Sequence, residues 1–197
     1  MSKKAIVIGA GIGGMASAIR MAHLGFDTVV YESNAFPGGK INSKRIGSYR
    51  FDMGPSVFTE PHLVEELLRI NSDQSPEFDF IKLPTSCHYF FEDRSMVSLP
   101  SGSEKVAEAF QNQLGEDKKV SLAYLEMIRK NYEAVYPVFI SASLHRFRQW
   151  MNKGVFWALA RIPKYGLFRT MDAVNKGYFK NEKTVQILNR FATYNGS

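Results

Sequence analysis

A chain of 197 residues, with 45 % hydrophobic and 22 % charged residues, has room for one domain or one and a half around a sizeable core, and its composition excludes an intrinsically disordered protein. Its one cysteine, Cys87, leaves no partner for an internal disulfide, so a reducing, cytoplasmic compartment is the default, and no apolar run reaches the ~18–20 residues of a spanning helix. The net charge of +6 is local: Ala134 to Met171 contains no Asp or Glu, and its Arg146, Arg148, Lys153, Arg161, Lys164 and Arg169 account for the whole imbalance, which points to a local anionic partner and away from a nucleic-acid binder.

Nine of the 15 glycines stand at or before Gly54, and a glycine-dense opening ahead of aromatic-rich helical sequence predicts two parts with different tasks. Ala5-Ile6-Val7-Ile8 is a short apolar run of the kind a parallel strand covered on both faces shows. It leads into Gly9-x-Gly11-x-x-Gly14, then a helix from Met15 to Leu24 closed by Gly25, then a second strand, Thr28 to Tyr31, ending on Glu32. A signal peptide cleaved after Ala16-Ser17-Ala18 is the competing reading of this opening, but four glycines make a poor apolar helix.

Each glycine has a physical task in the dinucleotide reading. Gly9 permits the tight turn, Gly11 admits a pyrophosphate to the backbone, and Gly14 lets helix and strand approach. The free N–H groups and partial positive charge of the helix N-terminus face the diphosphate. Glu32, 18 residues beyond Gly14, is placed to accept both ribose hydroxyls of an adenosine and to repel a 2′-phosphate.

After Glu32 come Pro37-Gly38-Gly39-Lys40 and Phe51-Asp52-Met53-Gly54-Pro55-Ser56. The whole opening, VIGAGIGG through VVYESNAFPGGK to YRFDMGPS, resembles the flavoprotein superfamily of amine oxidases, protoporphyrinogen oxidases and carotenoid desaturases. That resemblance implies FAD as cofactor, with contacts at Gly9, Ala10, Gly11, Ile12, Gly13 and Gly14, at Glu32 and Ser33, at Gly39 and Lys40, and at Met53, Gly54, Pro55 and Ser56. Lys40 stands where arginine is common in the superfamily, keeping the charge without the bidentate fork.

FDMGPSVFTEPHLVEELLRI and the closing NRFATYNGS are most similar to the bacterial phytoene-desaturase type, and the last 28 residues or so to hydroxycarotenoid 3,4-desaturases. The family runs to well over twice this length, so the likeness is to its N-terminal portion. It implies an α/β fold: a Rossmann-type FAD-binding half of the amine-oxidase-like kind in 1–75, substrate-domain strands in 76–101, and a helical, membrane-facing segment in 102–197. The implied activity is that of an FAD-dependent oxidoreductase. It would desaturate a membrane-dissolved carotenoid, passing hydride to the flavin and extending the polyene, with a quinone or oxygen as final acceptor. An amine or protoporphyrinogen oxidase, or a flavin-free prenyl-binding module like the Rab GDP-dissociation inhibitors, are the alternatives.

Farther along, Thr59-Glu60-Pro61 opens a capped amphipathic helix through Leu63, Val64, Leu67, Leu68 and Ile70 to Asn71. Phe78, Phe80, Ile81 and Leu83 predict a strand, and Cys87–Phe91 with Met96–Leu99 a hairpin turning through Glu92 to Ser95. Ser103 is expected to cap a helix to Leu114, and a longer helix to run from Val120 to Tyr136. His88 is expected to be a satisfied structural histidine and Cys87 buried filler; no catalytic base is assigned, and no metal-ligand cluster or Ser-His-Asp order is present.

Residues 134–171 combine their six cations with Tyr136, Phe139, Phe147, Trp150, Phe156, Trp157, Tyr165 and Phe168, in short helices expected to break at Gly154, Pro163 and Gly166. Two readings fit this pattern: an interfacial element on an anionic membrane, or a helical surface with aromatics packed inward and charges solvated. A polyene substrate, soluble only in the bilayer, agrees with the first and implies a peripherally membrane-associated protein.

Overall fold

The computed structural model describes residues 3–55, 58–70, 78–140, 145, 150–151, 153–160 and 169–195. It divides into an N-terminal unit, Met1–Ile81, and a C-terminal unit, Lys82–Ser197.

In the N-terminal unit, β1 (Lys4–Ile8) pairs in parallel with β2 (Asp27–Tyr31), Lys4 opposite Asp27 and Ile8 opposite Tyr31. Between them lies α1 (Ile12–His23), the crossover that two adjacent parallel strands require. Its end follows from Gly25, which takes φ +84°. Gly25 N–H donates to Ala22 and Phe26 N–H to Met21, the paired bonds of a Schellman cap, so the chain leaves the helix already turned toward β2.

The expected burial of the first strand on both faces is not met within this chain. Ala5 and Val7 are half-buried where α1 packs on the pair, while Ile6 and Ile8 point away and are 66 % and 88 % exposed. Among the described residues of this unit, only Ala10 is buried.

A hairpin not anticipated from the sequence, β3 (Ser43–Ile46) with β4 (Tyr49–Asp52), follows. Its two-residue loop starts at Gly47, φ +61°, a Gly-x turn suited to the twist of paired strands. Helix α2 (Pro61–Leu68) has the expected proline in its first turn, but no side chain caps it; Glu60 takes the cap position at φ +54°. Asn71, the expected end of this helix, lies outside the described residues. The strand expected at Phe78–Leu83 is absent: no residue of this stretch pairs with a described strand. Phe78 instead packs against Phe58 and Phe80, ring centroids 5.5 and 6.0 Å away.

The C-terminal unit contains the main core. Strands β5 (Thr85–Phe90) and β6 (Met96–Pro100) form the expected hairpin, its turn closed by Arg94 at φ +64°. Helix α3 (Ser103–Leu114) has Gly102 as its cap, with Ser103 one position inside, and ends at Gly115, φ +72°. Helix α4 (Lys118–Val135) starts at Asp117, whose side chain accepts from the amides of Lys119 and Val120, and continues into a π-helical turn, Tyr136–Ile140. Helix α5 (Lys153–Ala160) contains Gly154 in its first turn, so this glycine does not break the segment; Pro163 and Gly166 lie outside the described residues.

Thr170 caps α6 (Met171–Tyr178), Asn181 caps α7 (Glu182–Asn189), and a 3-10 turn, Arg190–Asn195, follows. Val97 and Leu99 of β6, Phe110 and Leu114 of α3, Tyr124 of α4, Phe179, and Val185, Ile187 and Leu188 of α7 make one buried cluster. Phe179 meets Phe110 and Tyr124 edge-on, at 5.9 and 5.0 Å between centroids, the geometry that aromatic quadrupoles favour.

Candidate functional site

The glycine loop is positioned by β1 ending and α1 beginning within four residues. Gly9 holds φ +95°, open to glycine and strained for anything larger, and donates its amide to the Tyr31 carbonyl at 2.7 Å. A Cβ on Gly14 would lie 1.9 Å from the Gly9 oxygen, so only glycine lets the helix begin this close to the strand. Gly11 and Gly13 differ: a Cβ on either would meet nothing within 4 Å. No side chain caps α1 and no acid stands in its first turn. An uncapped helix start, fronted by open space and with no acid in its own first turn, suits a diphosphate.

Glu32 follows β2 and closes on the same loop. Its Oε2 accepts the Ala10 amide at 2.7 Å. Its Oε1 accepts the Asn34 amide at 2.9 Å, the Asn34 side-chain amide at 2.8 Å, and more weakly the Ser33 hydroxyl at 3.3 Å. The Asn34 and Ala10 backbone amides, then the Asn34 side chain, hold the Glu32 carboxyl down to about 2 from the ordinary value of 4.5. It is therefore a fixed anion at any physiological pH.

The second glycine turn packs on the first. Gly38 bridges to Gly11 in parallel fashion and donates to the Ala10 carbonyl at 2.8 Å; a Cβ on Gly39, φ +59°, would come within 3.3 Å of the Gly11 Cα. Met53-Gly54-Pro55 joins by the same logic: Met53 N–H donates to Asn42 at 2.8 Å, and a Cβ on Gly54 would fall 1.8 Å from the Lys40 oxygen. Close approaches thus link Gly9 with Gly14, Ala10 with Glu32, Gly11 with Gly38 and Gly39, and Lys40 with Gly54, while Ser56 lies outside the described residues. Asn34 escaped the sequence reading, although a side-chain donor two residues after an acid is a recurrent local partner for it.

In the other unit, His88 Nδ1 lies 2.8 Å from the Ser98 hydroxyl across the hairpin, as a structural histidine should. Cys87 is half-buried rather than buried, with the Arg190 guanidinium 3.7 Å from its sulfur. No group of His, Cys, Asp and Glu able to hold a metal occurs among the described residues.

Strand, glycine loop, helix, strand and terminal acid follow one another in the order of a dinucleotide-binding module, and residues 7–70 match the NAD(P)-binding Rossmann-like domain. Along almost its whole length the chain is similar to part of carotenoid desaturase-type proteins. It is 40 % identical, over 99 % of its residues, to a 1-hydroxycarotenoid 3,4-desaturase of Flavobacterium sp. (strain P99-3). It is 27 % and 29 % identical, over 99 % and 100 % of its residues, to the 4,4'-diaponeurosporene oxygenases of Staphylococcus haemolyticus (strain JCSC1435) and Staphylococcus aureus (strain Mu50 / ATCC 700699). The chain spans about two fifths of the length of these curated relatives, 40 % of the first and 39 % of the other two.

Proposed function

We propose that this chain supplies the cofactor-binding portion and part of the substrate-facing portion of an FAD-dependent oxidoreductase that desaturates a membrane-dissolved carotenoid. One observation carries the cofactor reading. The bond from the Ala10 amide to Glu32 sets the acid suited to a ribose against the loop suited to a diphosphate. The polyene substrate rests on the similarity to the Flavobacterium desaturase along 99 % of the chain. The relatives favour neither an amine or protoporphyrinogen oxidase nor a prenyl-binding module.

In this reading Gly9 to Gly14 and the start of α1 hold the diphosphate, and Glu32 with Ser33 holds the adenosine ribose. Gly39, Lys40, Met53, Gly54 and Pro55 would lie toward the flavin. The chemistry a bound flavin supplies is acceptance of a hydride from an allylic carbon while a proton leaves the neighbouring carbon, with a quinone or oxygen taking the electrons afterwards. The residues of the chain bind and orient; residues 76–101 and 102–197 face the substrate. A hollow of about 680 Å3 in the C-terminal unit, lined largely by apolar groups such as Met127, Ile128, Val174 and Leu188, is of the size and character that suits an apolar chain.

Residues 134–171 are the membrane-contacting element of this proposal. Met151 and Phe156 are each 76 % exposed and Ile140 60 %, in the segment that carries the unbalanced positive charge. Contact would be peripheral, since no helix among the described residues is long and apolar enough to cross a membrane.

The test is a titration with FAD followed by desalting. Flavin absorbance should stay with the protein and be lost in Glu32→Lys; colourless protein after desalting overturns the cofactor assignment. A flavin-loaded protein of the relatives' full length that contains this chain, given an acyclic hydroxycarotenoid in liposomes and a quinone, should shift the polyene absorption to longer wavelength. An unchanged spectrum overturns the substrate assignment.

A further inference from the structure

A carboxylate has about four lone-pair positions, two on each oxygen. At Glu32 Oε1 both are taken by Asn34, through its backbone amide at 2.9 Å and its side-chain amide at 2.8 Å, with the Ser33 hydroxyl crowding in at 3.3 Å. At Oε2 one is taken by the Ala10 amide at 2.7 Å. One position, on Oε2, is left for a ligand.

From this geometry we propose that Asn34 is a positioning residue that saturates Oε1, so that Glu32 meets the nucleotide through Oε2 alone and accepts a single ribose hydroxyl. This narrows the sequence expectation that the acid grips both hydroxyls, and it rests on the dinucleotide reading above. The arrangement has a counterpart in the same chain. Asp93 is held by the residue two positions on, Ser95, through its amide at 3.1 Å and its hydroxyl at 2.7 Å, both to Oδ1. A serine at position 34 should therefore be able to do the work of the asparagine.

The facing groups leave little else to titrate. Gly9 to Gly14 and Ser33 carry no ionisable side chain, and Lys40, on the turn packed against Gly11, is the charged group of the adjoining element. It is common to every variant proposed here.

The experiment is calorimetric titration of the 197-residue chain with ADP, 2′-deoxy-ADP and 3′-deoxy-ADP. In the parent chain one deoxy analogue should bind about tenfold more weakly than ADP, the loss expected for one hydrogen bond to a charged acceptor, and the other should bind as ADP does. In Asn34→Ala a lone pair on Oε1 is released, ADP binds more weakly, and the distinction between the two deoxy analogues shrinks; Asn34→Ser restores it. Carbon NMR titration of the Glu32 carboxyl should move up from about 2 in the alanine variant and return in the serine variant.

Equal losses for both deoxy analogues in the parent chain, or an alanine variant that discriminates as the parent does, overturn the role of Asn34. Failure of the parent chain to bind ADP at all overturns the dinucleotide reading beneath it.

Discussion

At the scale of single residues, Gly11 and Gly14 of the loop have separable tasks. Gly11 has an ordinary φ of −70° and open space where a Cβ would go, so Gly11→Ala should fold normally. Its methyl would stand where a diphosphate has to approach, and ADP affinity should fall by about tenfold or more. Gly14→Ala places a methyl 1.9 Å from a backbone oxygen, with no flexible side chain to give way, and should lower the melting temperature of the N-terminal unit as well as binding. Parallel calorimetric and thermal measurements check the pair. Equal stability losses in the two variants would remove the distinction.

At the scale of elements, a polar relay, buried at its Tyr124–Asn175 end, joins three helices. Tyr124 of α4 donates to Asn175 of α6, which donates to Asn189 of α7 at 2.8 Å, which in turn donates to Asp172 at 2.8 Å. Burial pushes the Tyr124 phenol up to about 12, so it remains a donor throughout the usable pH range. Asn175 is 0 % exposed, and Tyr124→Phe leaves its oxygen without that donor. The expected cost is about 1–3 kcal/mol, read as a lower melting temperature of the C-terminal unit by circular dichroism. An unchanged melting temperature would show that the relay adds nothing to cohesion.

The same scale shows what the sequence made visible and what it hid. Local signals were sufficient where chemistry is local. The Gly9–Gly14 spacing, Gly25 and Gly115 as helix stops, and the turn at Glu92–Ser95 each mark structure within a few residues of themselves. The Phe78–Leu83 strand was misread because an apolar run states only that it will be covered, not that a neighbouring edge exists to pair with. Gly154 was misread as a breaker because one glycine costs a helix only about 1 kcal/mol, which packing of Val155 and Ala158 against Val138 can offset. Asn175 was invisible in principle, since its partners lie 51 and 14 residues away.

At the scale of the whole molecule, charge is the organising quantity. Six unbalanced cations in 134–171 face a chain otherwise neutral, so attraction to an anionic bilayer should come from this segment alone. Replacing Arg146, Arg148 and Lys153 together by Glu changes the local charge by six and should abolish sedimentation with anionic liposomes. Binding by the parent chain should weaken as salt rises, because surface attraction is screened beyond about 10 Å at 0.1 M. Sedimentation of the triple variant equal to that of the parent would rule out an electrostatic anchor there.

The near-absence of buried side chains around the glycine loop has a consequence for how such a protein matures. Among the described residues Ala10 alone is buried there, while the other unit owns the Phe110–Ile187 core. In the proposed reading, the unit that holds the nucleotide is the one with fewer buried side chains within this chain, and a bound nucleotide would add to its cohesion. Supply of a nucleotide would then bear on how well this unit resists proteolysis.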